Sequence, residues 1–233
     1  MKTLRGWIIV LLVLLAVAGA PAHSAAGYTT LPGSVTWTAD QTLTTDLVVP
    51  NGVVLTIATG VNVTIQCGID AAPAPQGDSA RIEIIVLSGG ELRTDGAVFK
   101  GASAAAGCWH GLVYLAGSDG ELLNTTIRDA EVGVSIYNAS PDVFENSILH
   151  LSGADQPSDG ATSAEDGIGI LVMGSQAAPH LRGNAISDLV GGDGAPGVAQ
   201  NQGGAAYGIA IWNGATPLVE QNSISDLLGG AGG

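Results

Sequence analysis

Four stretches of the chain share one order of apolar and polar positions: Gly120–Ala130, Pro141–Leu151, Pro179–Leu189 and Pro217–Leu227 superpose without gaps. In the last three, a proline is followed five residues later by asparagine (Asn146, Asn184, Asn222) and seven later by isoleucine (Ile148, Ile186, Ile224). The first carries Gly120, Thr125 and Ile127 at the same offsets. A short β-branched or aromatic run precedes each: Gly111–Leu115, Gly133–Tyr137, Gly167–Val172 and Gly208–Trp212. Each unit therefore reads as strand, turn, strand, turn. The aligned isoleucines are spaced 21, 38 and 38 residues apart, the excess being taken up by Gly/Ala/Asp-rich inserts near 152–166 and 191–206.

A repeat of this length is too short for a propeller blade and has no helix-forming half, so it specifies a parallel β-coil. Successive coils of such a solenoid lie about 4.8 Å apart and equivalent residues stack in columns. Ile127, Ile148, Ile186 and Ile224 are expected to form an interior column. Asn146, Asn184 and Asn222 are expected to stack at a bend, as a ladder of hydrogen-bonded side-chain amides. Upstream, Leu47–Val49, Val53–Ile57 and Val61–Ile65, then Ile82–Leu87, Glu91–Arg93 and Ala97–Phe99, extend the pattern, broken by the turn signals Pro50-Asn51-Gly52, Thr59-Gly60, Gly89-Gly90 and Asp95-Gly96. This gives an all-β chain with a right-handed parallel β-helix of five to six coils over 47–228. Residues 27–46 are expected to supply an N-terminal cap or first strand over the open edge of the core. The competing fold, a β-sandwich, requires hairpins and gives no reason for Pro, Asn and Ile to recur in register.

The chain begins differently. Lys2 and Arg5 precede an unbroken apolar run from Trp7 to Ala20, then Pro21 and a small-residue stretch to Ala26. Residues 1–26 thus read as a secretory signal peptide, the apolar run being shorter than the roughly 20 residues of a membrane span. The mature chain keeps five bases against 21 acids. Such a charge excludes nucleic acid as a partner, since phosphate binding needs clustered Lys and Arg. Export also favours a disulfide between Cys67 and Cys108 over two buried thiols, the deciding quantity being whether their Cα atoms lie within about 7 Å. At the other end, Leu227-Leu228-Gly229-Gly230 repeats Leu189-Val190-Gly191-Gly192, so 229–233 reads as the start of a further insert. A solenoid needs a polar cap; nothing after Leu228 makes one, and the chain is expected to be a piece of a longer protein.

The opening Leu55–Val63 (LTIATGVNV), the Trp109–Leu112 segment (WHGL) and the repeated Gly-Ile, Pro, Asn-x-Ile coils together resemble the right-handed parallel β-helix proteins of the pectin-lyase-like superfamily, over about 45–228. The resemblance is specific for fold. It implies polysaccharide lyases, glycoside hydrolases, adhesins and non-catalytic surface proteins alike. Similar lyases use Arg or Lys beside Ca²⁺ held on acids, and similar hydrolases use a group of Asp with His-Gly and Arg-x-Lys. Beyond the signal the bases are Arg81, Arg93, Lys100, Arg128 and Arg182, with no Arg-x-Lys, and His110-Gly111 stands alone; no catalytic residue is assigned.

Two residues past each aligned isoleucine come Asp129, His150, Asp188 and Asp226, read as an exposed column. Asp188 with Asp226 is the one Ca²⁺ candidate, set against ordinary solvated side chains; no other metal or cofactor is expected. The insert from Gly191 (GGDGAPG) reads as a flexible loop. Trp109, Tyr114, Tyr137 and Trp212 make a sugar-stacking stripe if they point outward and core plugs if they do not. Asn62, Asn124 and Asn138 head Asn-x-Ser/Thr sequences that accept glycans only in a eukaryotic secretory route. Together these readings point to a secreted or cell-surface, non-catalytic β-helix that displays a surface or binds an extracellular polysaccharide or cell-surface partner. The alternative is a fragment of a lyase or glycoside hydrolase acting on an acidic polysaccharide.

Overall fold

The structure is a computed structural model that describes residues 23–25, 27–68, 74, 76, 81–158, 162–198 and 201–233. Apart from His23–Ala25, the expected signal peptide lies outside the described residues. Among them there are no helices. Strands fall into three parallel sheets through which the chain passes in turn. The first sheet stacks Tyr28–Thr30, Leu47–Val49, Glu83–Val86, Gly111–Tyr114, Val132–Tyr137, Gly167–Met173 and Ala206–Trp212. The second runs from Val35–Trp37 to Leu218–Glu220 and the third from Gln41–Leu43 to Ser223–Ile224. This is the arrangement of a parallel β-helix with seven coils rather than five or six. The difference lies at the start: residues 28–43 do not plug the core but form a complete coil, pairing in parallel with Leu47–Val49, Val54–Ile57 and Asn62–Ile65. Among the described residues only His23–Ala25 covers an edge, antiparallel to Tyr28–Thr30.

The isoleucine column is present in register, Ile127 on Ile148 on Ile186 on Ile224. Its first three members are fully buried, and burial of each contributes roughly 1.5–3 kcal/mol. Gly133, Gly169 and Gly208 face it from the first sheet, where an added Cβ would sit 2.6, 2.6 and 2.5 Å from Cγ2 of Ile148, Ile186 and Ile224. In these three strands the glycine is thus the space that the branched side chain fills.

Asp129, His150, Asp188 and Asp226 all take left-handed backbone angles, with φ of 65, 56, 58 and 54°. Each bends the third sheet so that the residue two before it and the one after it both point inward, as Ile148 and Leu151 do. Short polar side chains tolerate that conformation best. The column is therefore a backbone device, and its expected uniform exposure is corrected: Asp129 is buried, His150 half-buried, Asp188 and Asp226 exposed.

The asparagines occupy the bend between second and third sheets. Asn184 Oδ1 accepts from the main-chain N–H of Asn146 at 3.0 Å and from its side-chain amide at 2.9 Å. Asn222 does the same for Asn184 at 3.0 and 2.8 Å. Each side-chain amide also donates to a carbonyl of the preceding coil, Leu122, Val143 and Leu181.

All long inserts fall at one corner, between the third sheet and the first sheet of the next coil. The described parts of those at 153–166 and 191–205, namely 153–158, 162–166, 191–198 and 201–205, are packed rather than loose. Gly192 N–H donates to Glu165 O, Gly204 to Gly192 O and Gly230 to Gly204 O, at 2.7–2.9 Å. Asp155 and Asp193 side chains accept from the main chain 38 residues on, at 2.8 and 2.7 Å. An added Cβ at Gly191, Gly192, Gly204 or Gly230 would lie about 2 Å from a neighbouring carbonyl oxygen. The glycines of GGDGAPG thus let backbones touch, which corrects the flexible-loop reading.

Candidate functional site: an outward groove on the first sheet

Along a strand of the first sheet, side chains alternate between core and exterior. The outward column runs Val48, Ile85, Val113, Ser135, Leu171, Ala210 in register. Its apolar members pack outside the solenoid, where a soluble sheet face would ordinarily be polar. Two residues further along each coil stand Leu87, Leu115, Tyr137, Met173 and Trp212, half-buried except for Trp212, which is exposed.

Two concavities lie on this face. One of about 620 Å³ is bordered by Asn51, Gln76, Leu115, Tyr137 and Asn138. The other, about 210 Å³, is bordered by Tyr28, Val48, Ala74, Ile85 and Gln76; they share Gln76 and Leu87 and so form one groove. Asn51 is oriented by its Nδ2 donating to Ser88 O at 3.0 Å, and Asn138 by its Oδ1 accepting from Gln176 N–H at 3.2 Å. Among the described residues no Lys or Arg borders either concavity. The larger opening of about 680 Å³ is different in kind: Leu31, Val35, Trp37, Leu43 and Leu47 make it the mouth of the first coil.

The aromatic stripe therefore splits. Tyr137 and Trp212 point outward, and Trp212 meets Tyr207 edge to face at 6.1 Å. Trp109 and Tyr114 are core plugs. Trp109 stacks on Phe99 with centroids 6.4 Å apart and donates Nε1–H to Arg128 O at 2.9 Å. Burial, with Asp119 and Glu91 adding to it, pushes the Tyr114 hydroxyl well above the usual phenol range.

Beside the groove, at the insert corner, lies a buried polar group that sequence reasoning missed. His110 Nδ1 is 3.2 Å from Glu131 and its Nε2 is 4.0 Å from Glu83, while Arg81 pairs with the other oxygen of Glu131. Both glutamates are almost wholly buried. Asp129 accepts from Arg128 at 3.1 Å and lies 2.8 Å from His150 Nδ1. Asp46, also buried, accepts from Glu83 N–H at 3.0 Å and Ala74 N–H at 2.7 Å, which ties Ala74 to the sheet. Cys67 and Cys108 clamp the same corner as a disulfide with a Cα separation of 4.6 Å.

Asp188 and Asp226 stand on exposed bends one coil apart, and among the described residues no group of three acids, histidines or cysteines comes together to hold a metal ion. Of the Asn-x-Ser/Thr asparagines, Asn62 bonds Asp40 and Asn124 bonds Asp95, each at 3.2 Å. The groove residues Asn51, Leu87 and Leu115 escaped notice because they fall in turns and strand ends, where a lone polar or apolar residue carries no periodic signal. Only the column that stacking creates makes them a site. Compared with protein-family models, curated proteins and solved structures, the chain matches none.

Proposed function

We propose that the protein is an exported, non-catalytic β-helix of the right-handed, pectin-lyase-like kind, and that it binds an uncharged polysaccharide or a glycan of a cell-surface partner along the outer groove of its first sheet. The observation that carries this reading is the groove itself: an apolar floor, an aromatic ring at Tyr137 and the fixed side-chain amides of Asn51 and Asn138. Sugar rings present C–H faces that stack on aromatics and hydroxyls that pair with amides. With a net charge of −14 and no base among the described residues of the groove, a polyuronate is repelled rather than held. Titration calorimetry against soluble neutral and acidic oligosaccharides tests this. Binding of a neutral glycan that Tyr137→Ala weakens at least tenfold supports it; selective binding of a polyuronate, or binding that Tyr137→Ala leaves unchanged, contradicts it.

One observation favours the enzymatic alternative, namely the two glutamates that flank His110. Arg81 on Glu131 and the near-complete burial of both carboxylates speak for a structural role. Release of reducing or unsaturated ends from an acidic polysaccharide, abolished by Glu131→Gln in a variant that still melts cooperatively, would move the assignment to catalysis.

A further inference from the structure

Where the chain enters the first sheet, acidic side chains gather from successive coils. Asp46 of the second coil, Glu83 of the third and Glu131 of the fifth are all buried. Two bases answer them. Arg81 pairs with Glu131, and His110 of the fourth coil stands between the carboxylates of its two neighbours, its Nδ1 3.2 Å from Glu131 Oε2 and its Nε2 4.0 Å from Glu83 Oε2. Asp46 lies behind Glu83 and accepts its main-chain N–H. At the same corner Asp129 has its own partners in Arg128 and His150. The sequence between Gly68 and Arg81 contains two acids, Asp70 and Asp78, and no base.

A neutral imidazole carries one N–H. With a carboxylate facing each ring nitrogen it can donate on one side only and turns a lone pair toward a buried anion on the other; the imidazolium suits both. Burial and the nearby Arg81 oppose the charge, but the imidazole keeps 17% exposure, and without its proton three buried carboxylates face one guanidinium. We propose that His110 is a proton-operated clamp: as imidazolium it binds the third coil to the fifth through Glu83 and Glu131, and on losing its proton it releases them. A histidine whose charged form the fold favours contributes stability that is whole below its unfolded pKa, about 6.5, and is lost as pH rises through the folded value. The clamped strands, Glu83–Val86, Gly111–Tyr114 and Val132–Tyr137, carry Ile85, Val113 and Tyr137 of the outer groove. A mildly alkaline medium therefore loosens the groove wall before the ends of the solenoid.

The test is an NMR titration of the histidine ring protons of the whole protein, the His110 signal being assigned by its disappearance in His110→Gln. The expected midpoint of His110 lies above the ordinary value of about 6.5, and Glu131→Gln or Glu83→Gln lowers it, the former by about one unit, a tenfold weaker hold on the proton. The melting temperature of the wild type is expected to fall between pH 6 and pH 9, by about 3–5 °C for each unit by which the midpoint is raised, and His110→Gln to flatten that fall. The proposal is overturned if His110 titrates at or below the ordinary value, if both glutamine variants leave its midpoint in place, or if His110→Gln loses as many degrees over the same range as the wild type. Should a glutamine variant fail to fold, the wild-type midpoint and the other variant decide.

Discussion

Ile186 and Ile224 sit at the same place in two successive coils, each followed two residues later by a left-handed aspartate and each facing a first-sheet glycine. Ile186 is 1% exposed and Ile224 45%. The local sequences are nearly the same, Asn-Ala-Ile-Ser-Asp-Leu against Asn-Ser-Ile-Ser-Asp-Leu. What separates them is whether a coil lies above. In a quasi-one-dimensional molecule a residue's contribution to stability is set by its neighbours in the stack, and the motif alone does not fix it.

The widest gap between the two coils is expected on truncating this column. Ile148→Ala or Ile186→Ala should cost about 2–5 kcal/mol, because each leaves a cavity between two coils. Ile224→Ala should cost under about 1 kcal/mol, since the methyl groups removed already face water. Urea denaturation of the three variants measures both, and equal losses would break the comparison.

A disulfide effect of about 2–4 kcal/mol is expected next, from Cys67→Ser with Cys108→Ser, which frees the insert corner near the third coil and leaves the last coil untouched. Thermal melting of that variant with and without reductant checks it. A smaller step separates the asparagines. Asn184→Ala removes an amide that serves both the coil below and the coil above and should cost about 1–3 kcal/mol, whereas Asn222→Ala should cost about half that, as it serves one side only.

How far this was legible in the sequence follows from the same logic. The Pro, Asn and Ile offsets announced the interior column and the ladder because stacking demands identity at equal positions. The first coil, Tyr28–Leu43, escaped notice because it has neither the proline nor the asparagine: its ladder place is Ala39 and its third strand begins with Gln41. The inserts were misread for a different reason. Glycine and alanine in a run usually mark a flexible loop, and only stacking of the described parts of the two inserts, through Asp155, Glu165, Gly192 and Gly204, turns them into a layer of touching backbones. The groove and the Glu83–His110–Glu131 group draw on residues from different coils, 83, 110 and 131, whose spacing is irregular because the inserts between them differ in length.

The smallest effect belongs to the exposed edge of the first coils. Asp40 accepts from the Asn62 main chain and side chain, and these hydrogen bonds hold its carboxyl below the ordinary value. A carboxylate with a depressed folded pKa contributes stability above its unfolded value and loses it as pH falls through the folded one. Wild type is therefore expected to lose slightly more melting temperature between pH 7 and strongly acidic pH than Asp40→Asn does. Identical acid profiles would remove Asp40 from the account.

Native-state hydrogen exchange of the three ladder amides tests the central claim most directly. Asn146 and Asn184 N–H each donate to an asparagine oxygen of the next coil, while Asn222 N–H has no such acceptor among the described residues. Slow exchange at Asn146 and Asn184 with fast exchange at Asn222 is the predicted outcome. Equal protection at all three would mean that the motif itself, rather than the coil above it, holds the structure together, and would contradict the account.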